Sequence, residues 1–261
     1  MDRGAIEHFH EHGWALLPRA LCPEEAAAMR GAVWHALADV GIRRDQPSTW
    51  TVERPAHLQR LKEHPAFRSV SSPRLLAAID AILGGRTYQR PKNWGALFIA
   101  FPAENAWNIP ASGWHIDANY MSALNPPGGV KTLALFGDVA PLCGGTQIVG
   151  GSHRLVHDWF RQNPPGRGAR SAEMRKQLAR HPYIRALHAG GDANERTTRF
   201  MDRAEICDGV PLQVVECAGS AGDVFLLHPL TFHVATTNTG KAPRFMLSGG
   251  VTTNMWGWRR P

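Results

Sequence analysis

The chain has 261 residues, 43% of them hydrophobic and 20% charged, with a net charge of +7. That is enough apolar chain to bury a core in one large domain or two small ones, and it excludes disorder, collagen and coiled coil as overall descriptions. No apolar stretch approaches the roughly 20 residues of a membrane helix; Val224 to Leu227 is broken at once by His228 and Pro229. The opening MDRGAIEHFH lacks an apolar h-region, so no cleaved signal is expected and the cytoplasm is the expected compartment. Ile6 and Phe9 share one face of a short helix that Gly13 can end, and Trp14 to Leu17 is an apolar run stopped by Pro18. His8, His10 and His12 suggest a metal, yet successive ones lie about 200° apart on a helix and cannot converge. A longer helix opens at Pro23, with Glu24 and Glu25 at the positive end of its dipole, a stripe of Met29, Val33, Leu37 and Val40, and a stop at Gly41. Ser72 and Pro73 open another, with Leu76, Ile79 and Leu83 inward and Gly84-Gly85 at its end.

From about Tyr88 the pattern changes. Segments near 95–101, 114–120, 131–139, 145–149, 212–217, 222–227, 231–237 and 243–252 are short, rich in Val, Ile, Leu, Phe and Thr, and divided by Gly, Pro and Asn. Helices followed by a block of short strands imply a helical layer on an antiparallel sandwich or barrel, not a parallel α/β sheet. Residues 154–210 interrupt the strands, and Ser171 is a candidate cap for a helix holding Met174 and Leu178. Between Arg154 and Arg203, 11 Lys and Arg face 5 Asp and Glu, so six of the seven net charges reside there. Without basic runs or interleaved aromatics, this argues against nucleic acid; it suits a solvated helical excursion or a flap attracting an anionic substrate. Cys22, Cys143, Cys207 and Cys217 lack metal or disulfide-framework spacing, and reduced thiols are expected.

The chemistry concentrates in two places. In the strand-like Trp114-His115-Ile116-Asp117, alternation puts His115 and Asp117 on one face, where an imidazole and a carboxylate can grip adjacent positions on one metal. In Gly222 to Arg244, the sequence Asn238-Thr239-Gly240-Lys241 has hairpin-turn residues, and folding about it sets His233 opposite Arg244 on a shared face. His228 would fall opposite glycine beside Pro229, so His233 is preferred as the third ligand. Two His and one carboxylate with open positions suit Fe(II), whereas structural zinc takes four closed ligands. A guanidinium beside them forks onto a carboxylate, as a dicarboxylic co-substrate requires.

These pieces resemble the phytanoyl-CoA dioxygenase (PhyH) family of Fe(II)/2-oxoglutarate-dependent oxygenases. The resemblance rests on Trp114-His115-Ile116-Asp117 with Tyr120, on Cys143 to Arg154, which looks like the family's NG-x-L-x-x-x-PGSH run, and on Gly222 to Arg244. It implies a mainly β fold with flanking helices, a double-stranded β-helix or cupin-like jelly roll, with Fe(II) held by His115, Asp117 and His233, Arg244 on 2-oxoglutarate, and O2 as the oxidant. The implied organisation is one domain over 1–261: helical support at 1–87, jelly-roll core at 88–153 and 211–252, and an inserted flap at 154–210. Three places depart from the family pattern, the first being Cys143-Gly144 in place of the NG pair. Ala235 stands where Ser or Thr often touches the co-substrate, with Thr236 and Thr237 able to compensate and Thr236 counted beside Arg244; Gly150-Gly151 replaces the PG pair. Since Asp117 is retained, oxygenation is favoured over halogenation.

The expected activity is hydroxylation of an unactivated C–H bond in a small molecule, by a monomer or homodimer. The alternatives are a non-catalytic jelly-roll binding protein and an oxygenase acting on nucleic acid or protein. The loop Phe101 to Gly113 is either a connector or a substrate lid. Trp94, Phe98 and Trp107 line a pocket or fill a core, His153 caps a turn, and Trp256 and Trp258 cover the barrel or a dimer contact.

Overall fold

The computed structural model describes residues 1–55, 57–117, 123–164, 166 and 170–253. Tyr120, Trp256, Trp258 and the side chain of Ser171 lie outside the described residues. The first helix, α1 (Arg3–His12), starts where the Asp2 carboxylate accepts from Ala5 N and stops at Gly13, whose φ of 75° suits a residue without Cβ. Strand β1 (Trp14–Leu17) follows. Helix α2 (Pro23–Ala38) begins with Glu25 accepting from Cys22 N and buries Ala26, Met29, Val33 and Leu37; it ends before Val40, which is 54% exposed and not part of the predicted stripe. Three short 3-10 segments lead to α3 (Pro73–Ile82), capped by the Ser72 hydroxyl.

Two antiparallel sheets follow. The larger has the order β1, β7 (Val224–Leu227), β3 (Gly129–Leu135), β9 (Arg244–Thr252), β2 (Ala96–Ala100). The smaller runs β5 (Glu205–Cys207), β6 (Val210–Glu216), β4 (Gln147–Gly150), β8 (His233–Val234). The double sheet with flanking helices is the jelly-roll architecture expected.

Alternation within each strand builds three apolar layers. On β7, Val224 and Leu226 face the N-terminal helices, joining Met29, Val33, Leu75 and Ile79, while Phe225 and Leu227 face the other sheet and meet Leu133, Leu135, Ile148 and Met246. The outer face of the smaller sheet, with Val149, Leu212, Val214 and Val234, is covered by α4 (Ser152–Gln162), α5 (Ser171–Leu178), α6 (Pro182–Leu187) and α7 (Ala193–Phe200). Helix α5 takes Arg170 as its cap and Ser171 as its first residue, not its cap.

Two expectations are corrected here. First, β8 and β9 do not form a hairpin: β8 pairs with β4 (His233 with Ile148), whereas β9 pairs with β3 and β2 (Arg244 with Ala100). The residues around Asn238 carry the chain from one sheet to the other, with the Asn238 amide donating to Ala100 O and Ala242 O. Second, the 154–210 segment is not a flap over the barrel mouth. Its Leu155, Phe160, Met174, Leu178, Tyr183, Ile184, Leu187 and Phe200 are buried on the sheet face turned away from His233. Charge on its exposed side therefore does not line the site, and the anionic-substrate argument drawn from it loses its support.

Candidate metal and co-substrate site

The structure joins His115 and His233 through their backbones. His115 N donates to His233 O at 3.0 Å and His233 N donates to His115 O at 2.9 Å, an isolated bridge extending the smaller sheet beyond β8. Directly opposed residues share a face, so the two rings come together, 4.4 Å between centroids. Ile148, paired with His233, lies in the layer between the sheets, so this face is the interior one. Trp114 and Ile116 point the other way, 3% and 8% exposed, and Trp114 stacks on Phe232 with centroids 5.9 Å apart. The alternation predicted for 114–117 is thus present, although only His115 there makes a ladder contact.

Hydrogen bonds fix which ring nitrogens are free. Nδ1 of His115 lies 2.8 Å from Gly113 O and Nδ1 of His233 lies 2.9 Å from Thr231 O. A carbonyl can only accept, so each Nδ1 carries a proton, which makes Nε2 the atom that holds the lone pair when the ring is neutral. Both Nε2 atoms turn to Asp117, 3.5 Å from Oδ1 and Oδ2 respectively. The ligand atoms of His115, Asp117 and His233 all lie within 4.8 Å of one another, the only such metal-capable group among the described residues. Burial lowers the His233 imidazole pKa below its ordinary value against the pull of the adjacent Asp117 carboxylate, and so favours the neutral ring. Burial would raise the Asp117 carboxyl, but the adjacent His233 ring and the Lys131 ammonium outweigh it and hold it well below the usual carboxylate range.

Lys131 was not foreseen. It sits on β3 with Leu133 and Leu135 on the interior face, its Nζ paired with Asp117 Oδ2 and 3.0 Å from Ser248 Oγ. The available signal was a single lysine inside GVKTLAL, an otherwise uncharged strand whose interior face has no room for an unpaired charge.

Arg244 is 3% exposed. Its Nη1 donates to Gly144 O, and to Thr236 O and Oγ1 at 3.2 and 3.3 Å, while its Nε is buried with no partner among the described residues. The Thr236 hydroxyl donates to Gly145 O at 2.8 Å, so Thr236 acts here by fixing the guanidinium. Burial, then repulsion from Arg54, brings Arg244 down to about 10, still cationic at neutral pH. The Gly144-Gly145 turn under it rests on a second unforeseen residue, Glu216, whose carboxylate accepts from Gly144 N and Gly145 N at 3.0 and 2.8 Å. Gly144 has φ +96°, and a Cβ there would meet Thr237 O at 2.3 Å, so no larger residue fits.

The other singled-out residues lie apart. His228 is satisfied structurally, with Nδ1 accepting from Leu230 N at 3.0 Å and Nε2 facing Leu124 O at 3.1 Å. His153 does not cap a turn: it lies in the first turn of α4, its ring 5.0 Å from that of His228 and its Nε2 3.1 Å from His10 O. Trp94 is core, bonded to the Ser71 hydroxyl, and Phe98 is 41% exposed. The 101–113 loop is tied to the helical layer by Arg196, whose Nη2 reaches Ile109 O and Leu187 O at 3.2 and 2.9 Å.

The family model for phytanoyl-CoA dioxygenase (PhyH) matches residues 9–246, nearly the whole chain. The chain belongs to this family. It is accordingly a non-haem oxidoreductase that depends on Fe(II), 2-oxoglutarate and O2. No curated protein matches it. Solved structures share the fold: AviO1 from Streptomyces viridochromogenes Tue57 is 17% identical with TM-score 0.55, over 97% of this chain and 96% of that one. EvdO2 from Micromonospora carbonacea var. aurantiaca, complexed with 2-oxoglutarate, is 16% identical with TM-score 0.54, over 97% and 91%. The epimerase SnoN, in complex with Fe3+, alpha ketoglutarate and nogalamycin RO, is 15% identical with TM-score 0.53, over 96% and 82%. Among the described residues no helix is long and apolar enough to cross a membrane.

Proposed function

We propose that His115, Asp117 and His233 hold the iron, that Arg244 receives the distal carboxylate of 2-oxoglutarate, and that the enzyme hydroxylates an unactivated C–H bond of a small-molecule metabolite in the cytoplasm. The observation that carries this reading is the convergence of three ligand atoms within 4.8 Å, from two imidazoles and one carboxylate, on the interior face of a rigid sheet. The residues fit the group. Both Nε2 atoms face Asp117 with Nδ1 bound to a carbonyl, and Nε of Arg244, without a partner among the described residues, can donate to a carboxylate. Iron with 2-oxoglutarate and O2 supplies an oxidation in which the co-substrate loses carbon dioxide to give succinate as oxygen enters a C–H bond.

The chain's own part is placement. The Gly113 and Thr231 carbonyls orient the imidazoles, Lys131 holds one oxygen of Asp117, and Thr236 with Gly144 holds Arg244. Leu133, Leu227 and Met246 line the layer between the sheets and exclude water from it. A small-molecule substrate is supported by the kind of ligand held in the SnoN structure. The cytoplasm is supported by four unpaired cysteines.

The test is metal content and substrate-stimulated succinate release across candidate metabolites. Wild type is expected to bind one Fe(II) per chain. Asp117→Ala and His233→Ala should lose metal and succinate formation while circular dichroism stays near wild type, and His228→Ala should keep metal. Full activity in Asp117→Ala, or metal lost from His228→Ala and kept by His233→Ala, would refute the assignment. Product mass, with labelled O2, separates hydroxylation from reactions that remove hydrogen without adding oxygen.

A further inference from the structure

The N-terminal support brings a second guanidinium to the Arg244 end of β9. After the 3-10 turn Pro47–Thr49, Glu53 O accepts from Phe101 N at 2.9 Å. That bond ties the segment beside Ala100, the residue paired with Arg244. Arg54 Nη2 then lies 3.4 Å from Thr236 O, the same carbonyl that takes Arg244 Nη1 at 3.2 Å. Two cations converging on one neutral oxygen repel each other, an arrangement suited to an anion lying between them. Of the carboxylates nearby, Glu53 pairs with Arg54 at its Nε, 3.5 Å away on the exposed side, and Glu216 accepts from backbone N–H groups of the 142–145 turn. Arg244 thus keeps a buried Nε without a partner among the described residues. The two differ in freedom, since Arg244 is enclosed at 3% exposure and the Arg54 side chain is 51% exposed.

We propose that Arg54 is a second anchor for the distal carboxylate of 2-oxoglutarate, closing on it from the solvent side while Arg244 holds it from the interior. This rests on the Arg244 assignment above. The shared Thr236 carbonyl places both guanidinium groups within reach of a single carboxylate, which has acceptor sites for both. It also makes the 47–55 segment part of the co-substrate site, a role that no metal-ligand motif encodes.

The experiment is calorimetric binding of 2-oxoglutarate to full-length, Mn(II)-loaded protein without oxygen, comparing wild type, Arg54→Gln and Arg54→Lys. Oxalate serves as control, because it chelates the metal as the 2-oxo acid end does but has no distal carboxylate. Arg54→Gln is expected to weaken 2-oxoglutarate about tenfold, the loss of one partly exposed charge-assisted hydrogen bond. Arg54→Lys should recover part of this, and oxalate should bind all three alike. In turnover, KM for 2-oxoglutarate should rise by more than kcat falls. Unchanged 2-oxoglutarate binding in Arg54→Gln overturns the proposal, as does an equal weakening of 2-oxoglutarate and oxalate. Failure of wild type itself to bind 2-oxoglutarate overturns both the proposal and the co-substrate reading beneath it.

Discussion

Lys131 shows how much a single side chain can set the character of this site. A carboxylate beside two imidazoles on a partly enclosed face tends to take up a proton; the ammonium on its Oδ2 opposes that and leaves Oδ1 toward His115. Ser248, 3.0 Å away, keeps the ammonium in place. Partners of ligating groups commonly contribute 10- to 100-fold in metal affinity. Lys131→Met is therefore expected to weaken Mn(II) binding by roughly that factor, with Lys131→Arg intermediate; competition with a chelator measures it, and unchanged affinity would show that Lys131 serves another purpose. His115 and Asp117 were singled out by spacing and residue type, whereas His233 was chosen by a hairpin that does not form; what sets it beside them is the bridge to His115. Lys131 and Glu216 were not legible in the sequence, since each acts on an element more than 70 residues along the chain or in another layer, and a contact between layers leaves no local pattern.

The elements were legible to differing degrees for equally physical reasons. Caps and apolar stripes located α1, α2 and α3, because a helix closes its hydrogen bonds within itself, although α2 ends at Ala38, short of the Val40 assigned to its stripe. The strand segments were found, but pairing was not: Asn238-Thr239-Gly240-Lys241 has hairpin residues, yet the Asn238 amide bonds Ala100 O and sends β9 into the other sheet. Strand β5 was missed because three residues ending at Asp208-Gly209 carry little periodicity. His153 and His228 form another unpredicted pairing, between α4 and the turn after β7, beside Gly13. Burial pushes His153 down to about 4 and His228 well below its ordinary value, so the folded form resists protons that the unfolded chain accepts below about 6.5. The stability these neutral rings allow is full above about pH 6.5 and is lost as pH falls toward 4, about 3 kcal/mol for His153 alone. Urea unfolding at pH 7 and pH 4.5 should show this, and His153→Gln should lessen the difference; equal midpoints in wild type would contradict it.

At the scale of the molecule, four layers run helix, sheet, sheet, helix, with the site between the sheets. The basic insertion belongs to the outermost layer. Its composition was legible and its position was not, since net charge reports the exposed side of a helix while the buried apolar side decides where it docks. On α5, Arg175 and Lys176 are exposed whereas Met174 and Leu178 are buried. Replacing both cations by Gln should leave kcat/KM and its salt dependence within twofold of wild type; a fall with a flattened salt profile would return the segment to a steering role. Leu187→Ala, in contrast, removes a fully enclosed side chain from this layer and should cost about 2 to 5 kcal/mol of stability.

Strand β1 completes the edge of the larger sheet by pairing Trp14 with Leu227 and Leu17 with Val224. The closing contact spans more than 200 residues, so β1 waits for its partner until the residues between them have been made. Such closure is slow because the loop entropy is spent before the ladder forms. Until then β7 has one side free, a template on which another nascent chain can add a strand. Deleting the first 17 residues would make that transient condition permanent, and the product should appear as aggregate during expression, before any measurement of catalysis is possible.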